Sequence, residues 1–125
     1  MKVVLFGSSF FKYLSFHDKK RIHDVGNAKA HFYYQHFSGK SFEDFMNDAN
    51  SIDRVLRSIP DIVVVHFGGN SISNTRTKRE LIDNCTRFYD LLRERLNIIN
   101  PNAVVIASPI ISRYVYDNKF DTPPP

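Results

Sequence analysis

A chain of 125 residues, 42% hydrophobic and 24% charged, has ordinary globular composition and the length of a single domain with one core. Its formal charge of +4 and pI near 9.3 are only mildly basic, and the cations are dispersed, so charge alone does not mark a nucleic-acid binder. One cysteine, Cys85, excludes an internal disulfide, and no apolar run approaches the length of a membrane span. With no signal peptide ahead of the first apolar run, the expectation is a soluble, intracellular protein with no membrane partner.

Lys2 to Phe6 is almost continuously apolar, as a strand covered on both faces would be, and Gly7 ends it. Ser8 or Ser9 can cap a following helix whose Phe10, Phe11 and Leu14 are expected to face inward. His17 to Ala30 is polar, with Gly26-Asn27 as a turn signal, and reads as a connector with at most a short helix. Its cations Lys19, Lys20 and Arg21 suit a solvated face, with a phosphate-contacting patch as the alternative.

The aromatic run His31 to Phe37 is a second strand, closed by Ser38-Gly39. Ser41 with Asp44 three residues on nearly matches a capping box, and Phe42, Phe45 and Met46 form the buried stripe of the helix it starts. A short helix over Ser51 to Ser58 stops at Pro60. The third strand, Asp61 to Phe67, carries the strongest β signal of the chain in Val63-Val64-Val65. A long helix from about Thr77 to Ile98 presents Leu81, Cys85, Phe88, Leu92 and Leu96 on one face. Its charges, from Arg76 to Arg95, alternate with acidic residues as on a solvated surface, and Cys85 falls on the apolar stripe as a small core residue. A fourth strand covers Ala103 to Ala107. Strands this apolar, alternating with helices, call for a parallel sheet with helices on both faces.

Three loops follow strands: Gly7-Ser8-Ser9, Ser38-Gly39-Lys40 and Gly68-Gly69-Asn70-Ser71. At the carboxyl edge of a parallel sheet they would converge, and ligands bind there. A serine at a strand-to-helix turn places its hydroxyl and its amide where the helix dipole favours developing negative charge. A glycine amide and an asparagine side chain would supply further donors, so the three loops together suit an oxyanion hole.

These blocks resemble the SGNH hydrolase superfamily, the GDSL-type esterases and lipases. The family's Gly-Asp-Ser-Leu block is matched by Gly7-Ser8-Ser9-Phe10, its second-block glycine by Gly39, and its Gly-x-Asn-Asp block by Gly68-Gly69-Asn70-Ser71. The order and the spacing, 30 residues from Ser9 to Gly39 and 31 on to Asn70, follow the family. The resemblance implies a flavodoxin-like three-layer α/β/α fold with a parallel sheet of about four strands. It also implies a serine ester hydrolase with Ser9 as nucleophile, the Gly39 amide and Asn70 side chain as oxyanion donors, a small ester as substrate, and neither cofactor nor metal.

The chain departs from the family pattern in three places. Ser8 and Ser71 stand where the family has aspartates, and the Asp-x-x-His block that supplies the base is not in the sequence. His66, two residues before Gly68, is the histidine best placed to substitute, against its reading as a hydrogen-bonded strand-end residue. His17, His23, His31 and His36 show no metal-ligand spacing. The expectation is therefore a domain over residues 1–120, with a proline-rich tail at 121–125, that lacks its C-terminal βα portion and is weakly active or inactive. It would expose an apolar surface near Val104 and Ile106 beside the long helix, and would self-associate through it. The alternative is a non-catalytic module contacting nucleic acid or protein through the basic helix face.

Overall fold

The computed structural model describes residues 1–26, 28–37, 40–66 and 77–107. Its strands are β1 (Lys2–Gly7), β2 (Ile22–Val25), β3 (Ala28–His36), β4 (Ile62–His66) and β5 (Val104–Ala107). Its helices are α1 (Ser9–His17), α2 (Phe42–Asn47), α3 (Ala49–Val55) and α4 (Lys78–Ile99). The strands form one sheet in the order β2-β3-β1-β4-β5, parallel except for β2, which pairs antiparallel with β3. Helices flank both faces, so the architecture is the flavodoxin-like α/β/α arrangement that the resemblance implied, with five strands in place of about four because β2 adds an antiparallel edge.

The two faces are unequally covered, and the alternation of side chains along β1 shows it. Val4 and Phe6 point to one face, where Phe42 and Phe45 of α2, Ile52 and Val55 of α3, and Phe88 and Leu92 of α4 close a core of fully buried side chains. Each such side chain contributes about 1.5–3 kcal/mol on leaving water. Phe6 lies edge-on to Phe45, with ring centroids 5.0 Å apart, and Phe42 lies 5.0 Å from Phe88. Two polar ties fix the helices of this layer to each other: Asn84 donates to Glu43 at 2.8 Å, and Arg95 to Asp53 at 2.6 Å. Cys85 packs half-buried against this core, and burial pushes its thiol pKa up.

The opposite face has a smaller cluster of Val3, Leu5, Phe11 and Ala30, built under α1. Val104 and Ile106 are in register with Ile62 and Val64 on this face and remain 53% and 49% exposed. The apolar surface expected near Val104 and Ile106 is thus present. It lies across the sheet from α4, whose core contacts are all on the other side.

Two local expectations are corrected. The segment read as a connector contains β2, an edge strand whose hairpin with β3 turns at Gly26, where φ is 62°. A glycine opening a two-residue hairpin loop takes that left-handed conformation at no steric cost. Along α1, Phe11 and Ser15 face the sheet, whereas Phe10 is 50% and Leu14 37% exposed. The helix meets the sheet along one narrow row, so its neighbouring apolar residues stay outside it. By contrast the capping box forms fully: the Ser41 hydroxyl accepts from the Asp44 amide, and the Asp44 carboxylate accepts from the Ser41 amide at 2.8 Å. That bond and the Ser41 hydroxyl hold the Asp44 pKa below its ordinary value.

Candidate functional site

The carboxyl ends of β3, β1 and β4 are neighbours, and Gly7 is the hinge of the group. It is in register with His36 on one side and His66 on the other. The chain leaving β3 stays bonded to β1 for one residue more, since the Phe37 amide donates to the Gly7 carbonyl at 2.8 Å. The ends of β3 and β4, the strands that precede Gly39 and Asn70 in sequence, therefore lie on either side of Gly7. Gly39 and Asn70 themselves lie outside the described residues, and Ser9 is described by its backbone, which opens α1.

Gly7 is required by space. A Cβ there would sit 2.4 Å from the His66 carbonyl oxygen and 2.7 Å from Cδ2 of Phe11. The close approach lets the Ser8 amide donate to that same carbonyl at 3.3 Å and turns the chain directly into α1. Ser8 occupies the N-cap position, but its side chain makes no capping hydrogen bond, and the first turn of α1 holds no acidic residue. Of the two serines expected to cap α1, Ser8 thus makes no such bond, and the side chain of Ser9 lies outside the description. The Phe11 and Lys12 amides instead turn back to the Ser8 carbonyl, at 3.2 and 3.4 Å.

His66 ends β4 beside this turn. Its ring packs between aromatic neighbours, 4.7 Å from Phe10 and 5.9 Å from Phe11 between centroids. Burial lowers its pKa, which favours the neutral imidazole. A neutral imidazole is the form a general base needs.

The structure contains an Asp–His pair that the sequence reading did not assemble, and it is elsewhere. His23 of β2 lies 2.8 Å from one carboxylate oxygen of Asp18, and the Tyr34 hydroxyl donates to the other at 2.6 Å. The Arg21 amide also donates to Asp18, at 3.2 Å, while its guanidinium reaches the Ser15 carbonyl and lies 4.5 Å above the Tyr34 ring. The Tyr34 bond, with those of Arg21 and His23, holds Asp18 below the usual carboxylate range. Burial, then Asp18, pushes the Tyr34 phenol up to about 12. This network lines an apolar groove of about 680 Å³ whose walls include Leu5, Phe11, Leu14 and Phe32. It follows the last turn of α1, and nine residues of helix separate it from Ser9 by about 13 Å. The pair holds the β2 edge in place and is too far away to take a proton from Ser9.

Among the described residues no group of three or more His, Cys, Asp or Glu gathers as a metal site, and no helix is long and apolar enough to cross a membrane. No family model and no curated protein sequence matches the chain. Among solved structures it is similar to the crystal structure of an acetyl xylan esterase, AlAXEase, with a TM-score of 0.55 and 19% identity. That similarity covers 86% of this chain and 57% of the esterase, so the chain spans little more than half the length of that protein. At this identity the likeness shows the fold.

Proposed function

We propose that the chain is an SGNH-type ester hydrolase domain acting on a small carboxylic ester through Ser9, and that it works slowly because its sequence holds no Asp-x-x-His block. The observation that supports the reading is the register of Gly7 with both His36 and His66, since the strand ends that precede the three motifs are neighbours in the sheet. The similarity in fold to a protein described as an acetyl xylan esterase agrees with it.

In this reading the Ser9 oxygen attacks the acyl carbon. The carbonyl oxygen takes the negative charge and accepts from the amides of Ser9 and Gly39 and from the Asn70 side chain. Collapse expels the alcohol and leaves an acyl-Ser9 ester, which water then cleaves. Both steps need a group that takes a proton and returns it, and the chain has no Asp-x-x-His block to provide one. Burial favours the neutral form of His66, whose carbonyl accepts from the Ser8 amide, which makes it the residue to test for a residual base role.

Hydrolysis of p-nitrophenyl acetate tests the proposal. The expected result is weak turnover that Ser9→Ala reduces to the rate of buffer alone. Asn70→Ala should lower it by about 10²–10³-fold, as loss of an oxyanion donor does. Turnover unchanged by Ser9→Ala would remove Ser9 from the mechanism.

A further inference from the structure

A second concavity lies on the α4 side of the sheet, at the β3 edge, where the turn after α3 approaches the strand. It has a volume of about 430 Å³ and is lined by Tyr33, Gln35, Arg54, Arg57 and Ser58. Its polar groups are under-used. Among the described residues the Arg57 guanidinium and the Gln35 carboxamide have no hydrogen-bond or ion-pair partner. The Ser58 hydroxyl is shielded from solvent and also has none. Arg54 spends one nitrogen on the Ser51 hydroxyl at 3.1 Å, with Asp48 3.8 Å away, which leaves other N–H groups of its fork unengaged by those contacts. Lys2 is outside this lining but next to it, its ammonium donating to the Ser58 carbonyl at 3.1 Å.

The nearby carboxylates are occupied. Asp48 faces Arg54 and accepts from Ser51, and Asp61 accepts from the Lys2 amide at 2.8 Å. The wall of the cleft is therefore cationic and rich in donors, the environment that recognises a phosphoryl group. Its lining also includes the aromatic ring of Tyr33, one face of which stacks on His31 with centroids 4.4 Å apart and planes 28° from parallel. The turn holding Arg57 and Ser58 continues into Ile59, a β-branched residue at φ 56°, in the left-handed region such side chains avoid. Backbone held in that way is found where a loop must present groups in one position.

We propose that this cleft binds a nucleoside phosphate, with Arg54, Arg57 and Lys2 serving the phosphoryl group and the Tyr33 ring serving the base. The same chemistry is offered by a free mononucleotide and by one residue of a single-stranded nucleic acid. It is built from arginines, so it needs none of the glycine loops that cradle phosphates in other α/β proteins.

Calorimetric titration of the full 125-residue chain with AMP, adenosine and a short oligodeoxyadenylate tests the site. AMP is expected to bind saturably at one site per chain, with adenosine weaker by about tenfold or more, or about 1.4 kcal/mol. Arg57→Ala, a change at an exposed residue, should weaken AMP by a similar factor while leaving the melting temperature and ester turnover as in the parent. Ser9→Ala should bind AMP like the parent, which separates this site from the ester-hydrolysing one. If the oligonucleotide binds more tightly than AMP and loses affinity steeply with salt, the phosphate comes from a strand; equal affinity per site assigns the free nucleotide. Absence of saturation by either, adenosine binding as tightly as AMP, or an Arg57→Ala variant with unchanged affinity would each overturn the proposal.

Discussion

Replacing Gly7 by alanine adds one methyl group at the hinge between β1 and α1, and the geometry fixes what that methyl meets. Its carbon would lie 2.4 Å from the His66 carbonyl oxygen, where ordinary contact begins near 3.4 Å. About 1 Å must be found, and the obstacle is backbone, so β1 and β4 have to part at their paired ends. Overpacking of this kind costs about 1–3 kcal/mol. The opposing term is the backbone entropy that alanine saves in a strand, about 0.5–1 kcal/mol. The net expectation is a loss of about 1–2 kcal/mol, measured by urea denaturation with m unchanged. Widening at this point also moves the start of α1, so ester turnover should fall further than the folded fraction does. A Gly7→Ala chain as stable as its parent, with equal turnover, would show that the β1–β4 contact is not what sets the position of the turn.

Acid should loosen the β2 edge before the sheet. Asp18 and Asp44 have lowered pKa values in the fold, so their stabilisation is complete above the unfolded value of about 3.9 and is lost as pH falls through the lowered ones. Asp18→Asn should flatten that acid limb while leaving ester turnover near the parent's, checked by pH-dependent melting; an unchanged limb would assign it to other carboxylates. Val104 and Ile106 expose apolar surface on the α1 side, so sedimentation should find the chain associating, and Ile106→Lys should shift it toward monomer. A parent that is already monomeric at high concentration would refute that prediction.

The parts of the fold that could be read from sequence are those in which one periodicity dominates. Val63 to Val65 and Lys2 to Phe6 announced central parallel strands, and Leu81, Phe88, Leu92 and Leu96 gave the buried face of α4. β2 was hidden because Ile22-His23-Asp24-Val25 is an edge strand with no residue in it fully buried, and its hydrophobic pattern is correspondingly short. The usable signal is Gly26-Asn27 between two short β-prone runs, a hairpin pair whose second strand alone carries a strong pattern. The inward face of α1 is not legible in the sequence because Phe10, Phe11, Tyr13, Leu14 and Phe16 surround the helix with apolar groups, which leaves periodicity nothing to discriminate. At the site, strand ends and glycines were legible as motifs. The Asp18–His23–Tyr34 network was not, since its members are brought together only by the hairpin and no spacing in the chain encodes it.

If Ser9 is the nucleophile, the acyl group it carries can be located directly. The chain is mixed with p-nitrophenyl acetate, quenched in acid, and mapped by peptide mass spectrometry alongside Ser9→Ala. A proton-transfer group that is weak or missing slows release of the acyl group as well as its formation, so acetyl-Ser9 should accumulate in the parent to well above any lysine background. Acetylation confined to lysines, and equal in the parent and Ser9→Ala, would contradict the claim.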